Sequence, residues 1–128
     1  MAAVSGASLI ACVEDDPAVR EAVEGLLVAL GFTTAVFSSA EAFLQSSRLV
    51  DTSCLITDVR LGGMSGLELQ NSLATSGYRI PTIVITAFPD DRTRTQALGA
   101  GAVGVLSKPI TKEELLTCLG SALKGAED

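Results

Sequence analysis

Short apolar segments alternate with longer segments of helical pattern along almost the whole of this 128-residue chain. The segments at 8–13, 53–57 and 82–86 are nearly continuous apolar runs, which is typical of strands covered on both faces. With 33–37 and 102–106 they make five strand candidates, each followed by a helix candidate. Five βα units in sequence predict an α/β domain with a five-stranded parallel sheet, helices on both faces and right-handed crossovers.

The helix candidates have readable start signals. Asp16-Pro17 combines an N-cap residue with proline at the first helical position and predicts a helix that runs to Leu30. Capping boxes, in which Ser or Thr precedes Glu by three positions, predict three more helices. The boxes lie at 38–41, 65–68 and 111–114, ahead of helices that end near Ser46, Ser76 and Lys124.

Glycine marks several helix ends. Gly31, Gly77 and Gly99 each follow a helical stretch, where a left-handed cap favours glycine. The remaining helix candidate, at 90–98, is clearly apolar only at Ala97 and Leu98. We therefore expect that helix to be marginally stable.

Length and composition predict a single domain over residues 1–128, with a core at about 8–124 and no second domain in this chain. Hydrophobic residues make up 48% and aromatic residues only 4%, so the expected core is aliphatic. No apolar run reaches the length of a membrane span, and the N-terminus lacks the basic start of a secretory signal. These features predict a cytoplasmic protein with no membrane association.

The charge pattern and the missing residue types exclude several functions. The net charge is −6 and the basic residues are scattered, so direct binding to nucleic acid is not expected. The chain has no histidine, which excludes Ser-His-Asp and Cys-His nucleophiles, His-ligated zinc and a phosphohistidine carrier. Cys12, Cys54 and Cys118 stand singly in apolar segments and are expected to be buried free thiols in a reducing compartment.

Acidic residues follow two of the strand candidates: Glu14 and Asp15 follow the first, and Asp58 follows the third. An open parallel sheet collects its ligand-binding groups at the carboxyl ends of its strands. Carboxylates crowded there repel one another unless a hard cation neutralises them. Because Mg²⁺ prefers oxygen ligands, the three acids predict a Mg²⁺ site, with Mn²⁺ as the alternative ion.

Phosphoryl chemistry is the function that these residue types support. A carboxylate beside Mg²⁺ can attack phosphorus, which gives Asp58 the role of nucleophile. Lys108, after the fifth strand candidate, would share the charge of the transferring group, and Thr86, at the end of the fourth, would donate its hydroxyl.

Taken singly, each residue has a structural explanation. Asp16 fits as a helix cap, Glu14 and Asp15 would favour the positive end of that helix, and an acid such as Asp58 commonly lies in a loop. Their occurrence together at the ends of four strands favours a site.

The chain resembles a receiver domain of a bacterial two-component response regulator over essentially all of its length. The matching pieces are Val13-Glu14-Asp15-Asp16, Thr57-Asp58-Val59-Arg60, Met64-Ser65-Gly66-Leu67-Glu68, Ile83-Val84-Ile85-Thr86-Ala87, Gly99-Ala100-Gly101-Ala102 and Lys108-Pro109. Within the family, Ser39-Ala40-Glu41-Ala42-Phe43-Leu44 and the segment at 64–69 look most similar to the nitrogen-fixation regulators. The resemblance implies the flavodoxin-like strand order 2-1-3-4-5.

The resemblance also implies a role for each matching residue. Asp58 would accept a phosphoryl group from a sensor histidine kinase, in a transfer that the receiver itself catalyses without being an enzyme in the usual sense. The implied Mg²⁺ ligands are Glu14, Asp15, Asp58 and the backbone carbonyl of Arg60. The implied phosphoryl-binding groups are Thr86, Lys108 and the backbone N–H of Ala87. The Lys108-Pro109 bond would be cis, a form almost confined to bonds before proline.

Three departures from the family pattern bear on signal output. Leu61-Gly62-Gly63 stands where proline is common, and Phe88-Pro89 follows Thr86-Ala87 where a more flexible loop is typical. Val105 occupies the position of the usual aromatic switch residue, and valine cannot swing a large ring. The family usually carries a helix-turn-helix DNA-binding output domain, and phosphorylation would act through the fourth helix, fifth strand and fifth helix, for example by homodimerisation.

Two alternative functions stay open on the sequence. A pseudo-receiver would keep the fold as a phosphorylation-independent interaction module, and Val105 favours that alternative. A flavin carrier or phosphatase on the same fold is the second. The acidic loop after the first strand, the missing Walker motif and Arg60 in place of a second acid disfavour it.

Overall fold

The computed structural model describes residues 8–127, and its centre is a parallel sheet of five strands in the order β2-β1-β3-β4-β5. The strands are β1 (Leu9–Val13), β2 (Thr33–Phe37), β3 (Thr52–Asp58), β4 (Thr82–Thr86) and β5 (Gly104–Ser107). This confirms the predicted α/β class and the strand order that the resemblance implied. The predicted domain, 1–128, includes residues 1–7 and 128, which lie outside the described part.

Four α-helices and one short 3₁₀ turn connect the strands, and a fifth helix follows β5. The helices are α1 (Pro17–Ala29), α2 (Ala40–Leu44), α3 (Gly66–Thr75), α4 (Asp91–Gly99) and α5 (Lys112–Glu127), and the 3₁₀ turn is Leu49–Asp51. The last helix continues to Glu127, beyond the predicted end near Lys124.

Two hydrophobic clusters cover the two faces of the sheet, since successive side chains of a strand point to opposite faces. The cluster against α1 and α5 includes Ile10, Cys12, Leu27, Leu115 and Leu119. The cluster against α2 and α3 includes Ala11, Val13, Phe43, Leu69 and Leu73. A fully buried leucine or isoleucine contributes about 1.5–3 kcal/mol, so these two clusters hold the sheet and four of the helices together.

The fourth helix is attached far more weakly. Its one buried side chain is Ala97, which packs with Val84 of β4 and Val105 of β5 in a small third cluster. Alanine buries little apolar surface, so α4 has the least packing free energy of the longer helices. This agrees with the expectation of a marginally stable element at 90–98.

The helix starts follow the local sequence in three of four cases. Asp16 accepts the Ala18 N–H at 2.9 Å as the cap of α1. The capping boxes at 65–68 and 111–114 form in both directions. The box predicted at 38–41 is wrong: Ser39 caps α2, and the Glu41 carboxylate accepts the Met64 N–H at 2.9 Å instead.

Two of the three predicted glycine caps are confirmed. Gly31 and Gly77 have φ of 91° and 86°, values that favour glycine. Gly99 lies inside α4, and the positive φ falls on Gly101, at 100°. The Ala102 N–H then donates to the Ala97 carbonyl, so residue 102 ends the helix turn and β5 starts at Gly104 rather than at 102.

Candidate functional site

Glu14 and Asp15 lie directly after β1. The Glu14 N–H still donates to the Phe37 carbonyl at 3.0 Å, which extends the pairing of β1 with β2 by one residue. The Glu14 side chain is fully buried, and its Oε2 accepts the Asp16 N–H at 3.0 Å. Asp15 is exposed. One acid therefore faces the interior of the site and the other faces solvent.

Asp58 is the last residue of β3 and is only 5% exposed. Its Oδ1 accepts the Arg60 N–H at 3.1 Å, which orients the carboxylate. Behind it, Gly66 opens α3 so close to the strand that a Cβ there would lie 2.1 Å from the Asp58 carbonyl oxygen. A glycine at this position is required for the start of α3 to pack against the end of β3.

Lys108 reaches back from the end of β5 and joins the two buried acids. Its Nζ lies 2.9 Å from Glu14 Oε1 and 2.5 Å from Asp58 Oδ2. The Lys108 N–H donates to the Thr86 carbonyl at 2.9 Å, and the Lys108-Pro109 peptide bond is cis. Residues that are widely separated in sequence thus meet at the carboxyl edge of the sheet.

The charges of the site perturb one another. Burial raises the pKa of Glu14, and the nearby Asp58 charge raises it further, whereas the hydrogen bond from the Asp16 N–H and the positive charge of Lys108 lower it. Burial alone would lower the pKa of Lys108, but its close contacts with the Asp58 and Glu14 carboxylates outweigh that effect and raise the pKa. A single ammonium therefore compensates a site with three carboxylates.

The three acids fit a divalent cation. Glu14, Asp15 and Asp58 each offer an oxygen, and the three oxygens lie within 4.8 Å of one another. Glu14 Oε1 is buried without a hydrogen bond, because its contact with Lys108 is an ion pair that lacks hydrogen-bond geometry. A buried carboxylate oxygen with spare coordination capacity, among other carboxylates, suits a hard oxygen-preferring ion such as Mg²⁺.

Thr86 ends β4 at the same edge of the sheet. Asp58 pairs with Ile85 in the register of β3 and β4, so Thr86 lies one residue beyond that pair. Its side chain is buried, and its Oγ1 accepts the Phe88 N–H at 3.1 Å. Ala87, between them, is exposed. The Thr86 hydroxyl therefore ties the loop that leads into α4 to the edge that carries Asp58.

The comparisons with known proteins agree with this geometry. Residues 10–119 match the response regulator receiver domain. The chain belongs to that family. Receiver domains of this family are the phosphoryl-transfer switches of two-component signalling, and they bind Mg²⁺ at an acidic pocket as a general feature.

Several relatives of this receiver domain are regulatory proteins. The response regulator TmoT of Ectopseudomonas mendocina is 42% identical over 117 residues, which cover 91% of this chain and 53% of TmoT. The transcriptional regulator FixJ of Bradyrhizobium diazoefficiens is 31% identical over 115 residues, which cover 90% of this chain and 56% of FixJ. The chain spans about half the length of these relatives. A resemblance to FixJ is thereby confirmed, and TmoT is more similar to this chain over nearly the same length.

A solved structure gives the same picture. The crystal structure of FixJ-N superposes with a TM-score of 0.82 at 33% identity, covering 91% of this chain and 94% of that one.

Within residues 8–127 of the receiver, no helix combines the length and the apolar character that crossing a membrane requires.

Sequence reasoning missed two contacts around the receiver's acidic site. The Arg60 guanidinium lies 5.4 Å from the centre of the Phe88 ring, a cation–π contact between the loops after β3 and β4. Glu41 holds Met64 from α2, and Gly63 leaves room for it, since a Cβ at Gly63 would lie 2.7 Å from Glu41 Oε2. The only sequence signal for the second contact was the glycine pair after Leu61.

The position predicted to hold the switch residue is built as part of the core. Val105 is 7% exposed and packs against Val84 and Ala97. The Val105 side chain lies between the sheet and α4 and makes only apolar contacts there. The exposed aromatic side chain nearest in sequence to Thr86 is Phe88, at 64% exposure.

Proposed function

We propose that this receiver domain takes a phosphoryl group onto Asp58 from the phosphohistidine of a sensor kinase, in a Mg²⁺-dependent transfer that the receiver itself catalyses. The observation that carries the proposal is the contact of Lys108 Nζ with both Asp58 Oδ2 and Glu14 Oε1, within a cluster of three carboxylates. Such an arrangement provides a nucleophile and a cation that can stabilise the incoming charge.

The transfer exchanges one bond to phosphorus for another. An Asp58 carboxylate oxygen forms the new bond, the bond from phosphorus to the donor's histidine nitrogen breaks, and that nitrogen keeps the electron pair and takes up a proton. The Asp58 side chain is held for this step, because the Arg60 N–H binds Oδ1 and the Lys108 ammonium contacts Oδ2. The product is an aspartyl phosphate.

The residues around Asp58 divide the work of binding. Glu14, Asp15, Asp58 and the Arg60 carbonyl would hold Mg²⁺, or Mn²⁺ in its place. The metal supplies positive charge to the phosphoryl oxygens. Lys108, the Thr86 hydroxyl and the Ala87 N–H bind the remaining oxygens, which spreads the charge of the transferring group.

An apolar cavity beside Lys108 offers a binding surface for a helix of the kinase. It has a volume of about 350 Å³ and lies between α1 and the turn into α5, with Val19, Val23, Leu26, Pro109 and Ile110 among its lining residues. A donor helix with an apolar face could rest there and present its phosphohistidine to Asp58.

Phosphorylation then acts through Thr86. Its Oγ1 now accepts the Phe88 N–H, and turning the hydroxyl towards a phosphoryl oxygen removes that bond. The loop into α4 loses a restraint, and Ala97 is the one side chain of α4 that is buried against the sheet. Val105 cannot take part by swinging a ring, so we assign the coupling to the Thr86–Phe88 loop.

The output surface would be formed by α4, β5 and α5. Leu98, Val103 and Leu116 are exposed apolar side chains there. A homodimer on phosphorylation, or an output domain such as a helix-turn-helix, would cover them. The basic residues of this chain are too dispersed to bind nucleic acid directly.

The pseudo-receiver alternative draws on one observation, the small buried Val105 at the switch position. Intact-mass spectrometry after incubation with Mg²⁺ and acetyl phosphate separates the two functions. We expect one added phosphoryl group on the wild type, none on Asp58→Asn, and a reduced amount on Lys108→Ala.

Asp51→Asn is the matched control, since it removes an exposed acid that precedes β3, at the end of that strand opposite Asp58. It should take up phosphate like the wild type. No uptake by a folded wild type, with or without Mg²⁺, would favour the pseudo-receiver.

A further inference from the structure

A second cavity opens at the end of the sheet opposite the acidic site. It has a volume of about 460 Å³ and lies where α3 and α4 end and β4 begins. Residues that line it include Gln70, Leu73, Tyr78, Arg79 and Ile80. None of them belongs to the phosphoryl site, so the mechanism above leaves this cavity without a role.

Gln70 lines the cavity and carries an unpaired side-chain oxygen. Its side chain is 5% exposed, and its Nε2 donates to the Ala97 carbonyl at 3.4 Å. Its Oε1 is buried and has no hydrogen-bond partner among the described residues. An unpaired buried carbonyl oxygen is unfavourable, and a ligand that donates a hydrogen bond to it would remove that cost.

The remaining lining residues define the rest of the ligand. Leu73, Ile80, Pro81 and the Tyr78 ring offer apolar surface. Arg79 is exposed and makes no ion pair within residues 8–127, so its guanidinium is available to a carboxylate.

We propose that this cavity binds a small organic acid whose carboxylate meets Arg79, whose apolar body fills the space between, and whose hydroxyl or amide donates to Gln70 Oε1. Such a ligand matches the three kinds of surface that the cavity presents. Asp58 does not line the cavity, so the ligand does not contact the phosphoryl site.

The site is also placed to influence α4. The Gln70 side chain donates a hydrogen bond to the carbonyl of Ala97. Ala97 also carries the one buried side chain of that helix. A ligand that fixes Gln70 would therefore favour one position of α4, the helix through which the proposed switch acts. By linkage, phosphorylation would change the affinity for the ligand by the same factor by which the ligand changes the phosphorylation equilibrium. This second step rests on the proposed function.

The test is an NMR titration of the full chain with 4-hydroxyphenylacetate, which carries a carboxylate, a ring and a hydroxyl donor. We expect saturable shifts of the backbone amides of Leu73, Tyr78, Ala97 and Gly101 at low millimolar concentration. 4-Methoxyphenylacetate lacks the donor and 4-methylphenol lacks the carboxylate, so each should bind more weakly.

Two variants assign the contacts. Gln70→Leu keeps the side-chain size and removes the unpaired oxygen, so it should fold and raise the Kd for the hydroxy acid about fivefold, leaving it equal to that of the methoxy analogue. Arg79→Gln should weaken the acids but not 4-methylphenol, and Arg48→Gln is the control.

Asp58→Asn should bind the probe normally, which separates this site from the phosphoryl site. An absence of saturable shifts at these amides, or equal affinities in wild type, Gln70→Leu and Arg79→Gln, would overturn the proposal. If the probe binds and phosphorylation leaves its Kd unchanged, the binding site stands and the coupling to α4 is wrong.

Discussion

The Lys108 ammonium has two competing effects at the scale of single residues. It lies between Glu14 and Asp58, where it stabilises two buried carboxylates. It also neutralises part of the negative charge that would otherwise attract a metal ion. The same group is proposed to stabilise the phosphoryl group during transfer. These two effects predict opposite changes when the charge is removed.

Lys108→Ala should therefore bind Mg²⁺ several-fold more tightly than the wild type while taking up phosphate more slowly. Calorimetric titration with Mg²⁺ and the initial rate of phosphate uptake measure the two quantities. Lys112→Ala, an exposed lysine at the start of α5, is the control and should change neither. Weaker Mg²⁺ binding by Lys108→Ala would show that the ammonium does not compete with the metal.

Glu41 illustrates a second residue-scale effect, the anchoring of a loop. The Met64 N–H lowers the pKa of the Glu41 carboxyl from 4.5, and its own backbone N–H adds to the effect. A lowered acid pKa stabilises the native state above the unfolded pKa, and this contribution is lost as the pH falls through the folded value.

Glu41→Ala should free the loop at Met64, whereas Glu41→Gln keeps an acceptor and should hold it. Amide exchange at Met64 should be faster in Glu41→Ala at neutral pH, and exchange in the wild type should approach that of the variant as acid protonates Glu41. Exchange at Met64 that is equal in all three proteins would contradict the anchoring.

At the scale of elements, local sequence signals predicted correctly the helix caps whose partners are close in sequence. The cap of α1 and the boxes at 65–68 and 111–114 use partners within three residues, and the structure has them. The box at 38–41 failed because Glu41 finds a partner 23 residues away. The glycine cap predicted at 99 is wrong because Gly99 is still part of α4, and the positive φ comes two residues later, at Gly101.

The site itself was predictable for a different reason. Parallel strands bring their carboxyl ends to one edge, so Asp58 and Lys108 meet although they lie 50 residues apart. The Arg60–Phe88 contact and the position of Val105 under α4 depend on loop shape and packing, which no local pattern in the chain records.

The weak packing of α4 gives an element-scale prediction. Amides of 91–99 should exchange faster than those of β1 and β4, since one buried alanine holds the helix whereas both strands are fully buried. Phosphorylation should change exchange in this helix more than in α1. If the amides of α4 were as well protected from exchange as those of β1, and phosphorylation left that protection unchanged, α4 would be ruled out as the switch.

At the scale of the whole molecule, the acidic site couples metal binding to stability. A ligand at a hundred times its Kd stabilises the native state by about 2.7 kcal/mol. Saturating Mg²⁺ should therefore raise the melting temperature of the wild type by several degrees and that of Asp58→Asn by much less. Thermal unfolding with Mg²⁺ and with EDTA measures this, and equal shifts in both proteins would exclude Asp58 as a ligand.

The most direct test of the account is the position of the phosphoryl group. Borohydride reduces an aspartyl phosphate to homoserine, so a protein treated with Mg²⁺ and acetyl phosphate, reduced and digested can be mapped by mass spectrometry. We predict homoserine at position 58 and nowhere else, and none when EDTA replaces Mg²⁺. Homoserine at another acid, or an unmodified Asp58 in folded protein, would contradict it.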